Sequence, residues 1–349
     1  MKKIILILIC LMLTGCNYIE LNDMGIVTML AIEYKDNNYN LTIEVEENKK
    51  EETTSVLYKS SGSSIEKALE DASLKIDKNL YFIDVDVVMI DSKTANSKFT
   101  SIIDYLTRDV MFGTNFNILI DDDIDNTIKV IKGKEKIAGE YLKNIFDNKT
   151  NNIINNKFHI ILKSYLSEYE DIILPYGKVN NDEYSINEAV IFKDKQIVSK
   201  IPLNMIESFN LLNNETSEYF YQINYQDKSL VYRVSEHDAK LKYNNMINID
   251  LNVNGSFIEI EDIDLEDENM IDEVLMFLKE KIKEEANLLI NECKTYDSDI
   301  LAFKKLYYNN ERKKIDSIRN MDYKINVNVK LDREGLIFNS LGDEYERDK

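Results

Sequence analysis

Over residues 247–253 the chain sets Ile247, Ile249, Leu251 and Val253 against Asn248, Asp250 and Asn252 without a break. A strand with that period buries one face and leaves the other to water, so it belongs in a sheet covered on a single side. The same alternation returns in Leu41, Ile43 and Val45 against Thr42, Glu44 and Glu46, which predicts a half-buried strand with these polar residues facing solvent. It returns once more in Ile325, Val327, Val329 and Leu331. Helical periods lie between the strands in irregular order. Ile65, Ala68, Leu69, Ala72 and Ile76 share one face behind a candidate N-cap at Ser64. Phe99, Ile102, Ile103 and Leu106 share another, and the stretches 123–146 and 156–169 are mostly helical in pattern. The longest helix is expected over 269–294, with Ile271, Val274, Leu275, Leu278, Ile282, Ala286 and Leu289 on one face. This mixture predicts an α+β fold of several small domains, with mainly antiparallel sheets and packed helices, rather than a doubly wound one. Two prolines and ten glycines in 349 residues fit long regular elements.

Punctuation divides the chain further. Pro175-Tyr176-Gly177 and the polar residues after it, to Asn187, mark the expected boundary. Beyond it a hairpin over 189–198 is expected, turning at Lys193-Asp194-Lys195-Gln196, and Pro202 opens a short helix. The expected organisation is a signal over 1–15, an N-terminal α+β region over 16–182 with room for two lobes, and a C-terminal α+β domain over 183–349.

Residues 1–16 have the order of an export signal: Lys2-Lys3, an apolar run over 4–13, then small residues before a cysteine. Ten apolar residues rise only about 15 Å as a helix, half of a roughly 30 Å hydrocarbon core, so the run is too short for a permanent span. Leu13-Thr14-Gly15-Cys16 resembles the lipobox of bacterial lipoproteins, whose cysteine thiol forms a thioether to a diacylglyceryl group before cleavage on its amino side. Cys16 is therefore the expected lipidation site. Two acyl chains, at about 0.8 kcal/mol per buried methylene, hold a protein at a membrane where one chain would not.

The net charge of -20 repels phosphate backbones, so nucleic acid is not an expected partner, and membrane attachment cannot rest on a basic patch. Catalytic hallmarks are missing. No GxSxG, GxGxxG or GxxxxGK occurs, and the two histidines, His159 and His237, sit beside no other ligand at metal spacing. Asp121-Asp122-Asp123-Ile124-Asp125 offers oxygens, but an EF-hand begun at Asp121 needs glycine and glutamate where Asn126 and Lys132 stand; the run reads as a solvated, helix-leading turn. Cys10, Cys16 and Cys293 make neither a disulfide framework nor a metal cluster. The expectation is a chain with no catalytic residue, no cofactor and no metal.

Several segments match one family in order. They are ELNDMGIV over 20–27, the helix at 102–109 after the strand at 85–90, Tyr165-Leu166 and Leu174-Pro175, then NEAVIFKDK over 187–195, ESFNLL over 207–212 and DILAF over 299–303. Taken together they resemble the Ger(x)C family, the lipoprotein C subunits of nutrient germinant receptors in endospore-forming bacteria. Phe82-Ile83-Asp84 stands where the family usually has a glycine-histidine pair before its early strand. The resemblance implies an α+β protein without enzymatic activity, working beside two integral membrane subunits. It implies a lipid-anchored position on the outer face of the cytoplasmic membrane that bounds the spore core. Candidate partner contacts are Glu20, Leu21, Gly25 and Ile26 near the lipidated end, and Glu207. Gly25 reads equally as a turn residue with positive φ, and Glu207 as a buried capping or salt-bridging group. The competing readings are a solute-binding lipoprotein of a transporter and a tethered hydrolase.

Overall fold

The structure is a computed structural model that describes residues 23–49, 52–148, 152–215, 218–260 and 268–332. Its larger sheet has nine strands: β1 (Met24–Lys35), β2 (Asn38–Lys49), β3 (Glu52–Gly62), β4 (Asn79–Tyr81), β5 (Val87–Asp91), β6 (Asn117–Asp121), β7 (Ile173–Asn180), β8 (Glu183–Lys193) and β9 (Gln196–Pro202). They lie in the order β3-β2-β1-β5-β6-β7-β8-β9, with β4 paired to the start of β1.

The centre of this sheet, β1-β5-β6-β7, is parallel, and antiparallel hairpins extend it at both ends. A parallel strand must be reached by a crossover, and the crossovers put helices on both faces. On one side α1 (Ile65–Ser73), α2 (Ser92–Arg108) and α5 (Phe158–Leu166) cover Val88, Ile90, Ile118 and Ile120. On the other, α3 (Ile124–Lys132) and α4 (Ala138–Asp147) cover Val87, Met89 and Leu119. This is why Val87-Val88-Met89-Ile90 reads as a continuous apolar run. Ser64 caps α1 as expected, its hydroxyl accepting the Lys67 N–H. The helical pattern over 123–146 divides into two helices.

The smaller sheet has the order β10 (Tyr219–Tyr225), β11 (Lys228–Asn244), β12 (Met246–Ile260), β13 (Tyr323–Leu331). The first three are antiparallel, and β13 joins β12 in parallel after a helical crossover. That crossover contains α7 (Glu268–Tyr296) and α8 (Phe303–Glu311). Val274, Leu278, Ile282, Ala286, Leu289, Ile290 and Cys293 form the buried stripe of α7 against the sheet. The short helix α6 (Leu203–Leu212), entered from Pro202, packs beside it. No helix among the described residues is long and apolar enough to cross a membrane.

Strands β7–β9 serve both cores. Ile173, Ala189, Ile191 and Ile201 join the cluster under α6, α7 and the small sheet, while Leu174, Tyr176, Val190 and Phe192 point into the cluster of the large sheet. The polar residues after Gly177 form the β7–β8 hairpin, with Asn181 and Asp182 at φ 49° and 60° in its turn. Residues 183–202 therefore belong to the large sheet. Asp36-Asn37, Asp194-Lys195 and Gln226-Asp227 take the same positive φ in three more hairpins, a conformation that two-residue turns require and that Asn and Asp tolerate better than most residues. Few glycines are needed in such a chain.

Candidate functional site

The two cores meet where the chain enters β7 and where α7 gives way to α8. Asp171 N–H donates to the Asp299 carbonyl at 3.0 Å, and the Asp171 carboxylate accepts the Asp299 N–H at 2.7 Å. The Asp299 carboxylate turns the other way and accepts the N–H groups of Phe303 and Lys304, both at 2.7 Å. It thereby caps α8, whose own cap residue Ala302 lies in the left-handed region and offers no side-chain acceptor. Ser298 adds a bond from its hydroxyl to the Phe192 carbonyl at 2.6 Å. Burial pushes the Asp299 carboxyl up to about 7, against the pull of its two backbone donors.

Beside this joint lies a cleft of about 210 Å³ lined by Tyr165, Glu170, Asp171, Lys193, Lys195 and Lys304. Lys193 stands 3.6 Å from Asp171, and the Lys195 ammonium lies 4.0 Å from the centre of the Tyr165 ring. The segments at 165–166, 187–195 and 299–303 are far apart in the chain, yet residues from all three build this joint and its cleft. Chemically it offers charged and hydrogen-bonding groups for holding a ligand or a partner. Among the described residues no group of three or more His, Cys, Asp or Glu side chains is arranged to hold a metal ion.

The other residues singled out from sequence are dispersed. Cys16, Glu20 and Leu21 lie outside the described residues. Gly25 is buried in β1, opposite Leu80 of β4, and its φ is not positive, so the turn reading does not hold. A Cβ there would stand 3.2 Å from Val45 and 3.3 Å from the Lys78 Cβ, so close packing is the reason for glycine. Ile26 is partly exposed beside Tyr81. Glu207 on α6 is partly buried and accepts the Asn152 amide at 3.0 Å, with burial raising its carboxyl. It faces Tyr221 and Glu285, the latter pushed up to about 7 by burial.

His159 is exposed, with Nδ1 3.2 Å from the Thr114 carbonyl, and His237 packs edge-on to Tyr219, where burial lowers it. Cys293 is buried in α7, and burial raises its thiol. The aspartate run is only partly a solvated turn. Asp123 caps α3 and Asp125 pairs with Lys59 at the surface, but Asp121 is buried, accepts the Asp123 N–H and Thr127 hydroxyl, and is pushed up to about 6 by burial. Asp122 accepts from the Ser92 and Tyr176 hydroxyls.

Glu44 is the residue that the alternation misplaced. It is 0% exposed, because α4 covers the face of β2 that the pattern assigned to water. Its carboxylate accepts the N–H groups of Ala138 and Gly139, both at 2.8 Å, and the Thr28 hydroxyl at 2.9 Å. Lys132 approaches to 3.5 Å. A buried carboxylate thus caps a helix whose N-cap, Ile137, has no capping side chain.

A family model described as "Spore germination protein N-terminal domain" matches residues 17–179. One described as "Spore germination B3/ GerAC like, C-terminal" matches residues 187–335. Spore germination protein KC of Bacillus subtilis (strain 168) is 24% identical over 160 residues, which span 41% of this chain and 39% of that protein. The crystal structure of the GerBC protein aligns with a TM-score of 0.55 over 86% of this chain and 96% of its own, at 11% identity. That last likeness concerns the fold.

Proposed function

Because this chain belongs to the Ger(x)C family of spore germination proteins, we propose that it is the membrane-tethered, non-catalytic C subunit of a nutrient germinant receptor. The observation that carries the reading is the succession of two germination-family regions, 17–179 and 187–335, along one chain. The similarity to germination protein KC supports it over part of the chain. The lipid on Cys16 holds the body at the outer face of the spore inner membrane, beside two integral membrane subunits. Glu20, Leu21 and Ile26, next to that tether, contact those subunits. The organisation into an N-terminal α+β region over 16–182 and a C-terminal α+β domain over 183–349 belongs to the same proposal, with β8 and β9 of the second part completing the sheet of the first.

Affinity capture of the full chain from spore membranes tests it. Co-recovery of two integral membrane germination subunits supports the receptor reading, and recovery of a transporter in their place supports the solute-binding alternative. Cys16→Ala should move the chain from the membrane pellet to the soluble fraction. If it stays in the pellet, the tether is elsewhere.

A further inference from the structure

Lys304 is 8% exposed, yet among the described residues no ion pair forms to its ammonium. Two neighbouring acids make their contacts elsewhere: Asp299 spends both oxygens on the N–H groups of Phe303 and Lys304, and Asp171 uses Oδ2 both to accept the Asp299 N–H and to pair with Lys193. They act on Lys304 from a greater distance. Its near neighbour is the amine of Lys193, within hydrogen-bond reach, and both side chains line the cleft. Burial and then Lys193 lower the Lys304 amine below the ordinary lysine range.

Two ammonium groups in contact repel each other, and the more strongly the less water lies between them. A negative group with two or more oxygens, seated between them, turns that repulsion into two charge-assisted hydrogen bonds. The remaining acids of the cleft do not fill this role. Glu170 accepts the Ser164 hydroxyl at 2.7 Å, Glu168 pairs with Lys314 at the surface, and Asp194 lies in the β8–β9 turn. The volume of about 210 Å³ suits an ion of a few heavy atoms.

We propose that the cleft between α5, the β8–β9 turn and α8 binds a small oxyanion, a carboxylate or a phosphate, between the ammonium groups of Lys193 and Lys304. This site is independent of the receptor assignment, since it is built from this chain alone.

The test is calorimetric titration of the full chain, kept in solution with non-ionic detergent, with potassium phosphate and separately with potassium acetate. Potassium chloride at matched ionic strength is the control. Saturable binding of phosphate or acetate is expected, with no saturable signal from chloride. Tighter phosphate identifies a phosphate site and tighter acetate a carboxylate site. Lys304→Met and Lys193→Met should each weaken binding by about tenfold or more, as expected for loss of a charge-assisted contact. Lys304→Arg should retain it, and Lys98→Met, whose amine lies over Tyr34 elsewhere, should leave it unchanged. If Lys304→Met fails to fold, Lys193→Met carries the test. Absence of saturable binding by both anions, equal binding of chloride, or unaltered affinity in the methionine variants overturns the proposal.

Discussion

Asp171 and Asp299 are 128 residues apart and hold each other by two hydrogen bonds, backbone to backbone in one direction and backbone to carboxylate in the other. The bonds fasten the entry to β7 to the loop that starts α8, and so fasten the two sheets. Asp299 has a second task, because its carboxylate is the acceptor for the first free N–H groups of α8. Asp299→Ala should therefore cost about 2–4 kcal/mol, more than an exposed helix cap, since two buried donors lose their partner. Urea unfolding followed by circular dichroism measures the loss, and a cost below about 0.5 kcal/mol would refute the double role.

Glu44 presents a stronger case of the same kind. Glu44→Ala leaves the Ala138 and Gly139 N–H groups and the Thr28 hydroxyl without their acceptor inside the protein, and should cost about 3–5 kcal/mol. Glu44→Gln, which keeps one acceptor oxygen but brings in an NH₂ donor, should fall between wild type and alanine. Equal stability of all three chains in urea would show that α4 does not depend on this carboxylate.

Gly139 should tolerate no side chain. A Cβ would stand 2.5 Å from the Thr28 carbonyl oxygen, a backbone atom that cannot turn away. Gly139→Ala should lower stability by about 1–3 kcal/mol despite the better helix propensity of alanine, because overpacking outweighs the propensity gain. Thermal unfolding of the variant beside Gly133→Ala, whose Cβ would meet its nearest neighbours at 3.4 Å, separates the two effects.

Acid should stabilise this chain over part of its range. Asp299 and Glu285 are pushed up to about 7 and Asp121 to about 6, so each holds its proton to higher pH when folded than when unfolded. Between about pH 4 and 7 the folded chain then binds more protons, and unfolding free energy falls as pH rises through that window. Moving from pH 8 to pH 5.5 should gain on the order of 1–2 kcal/mol from Asp299 alone. Glu285→Gln should raise the unfolding midpoint at pH 8 and change it little at pH 5.5. A midpoint that climbs steadily from pH 5.5 to pH 8 contradicts this linkage.

Sequence periodicity revealed the elements that bury one face. β12 and α7 are the clear examples, since each alternates or repeats against a single core. The parallel run β1-β5-β6-β7 was harder to see, because a strand covered on both faces shows apolarity without period, and pairing direction leaves no mark in the residues. Glu44 was misread for a related reason: its polar alternation was real, but the polar face holds a helix terminus in place of water. The joint was legible only in pieces. Asp171, Lys193, Asp299 and Lys304 are ordinary surface residue types, and what brings them together is the shared wall β7–β9.

That wall also governs the order in which the protein can be made. The large sheet is closed on one side by residues 183–202, so a chain growing from its N-terminus cannot complete its first core until about two hundred residues have emerged. At roughly 5–20 residues per second, the stretch from the end of β7 at Asn180 to the end of β9 at Pro202 takes about 1–4 s to follow. During that wait β7 is an open edge rich in apolar side chains, the kind of surface that holding chaperones bind.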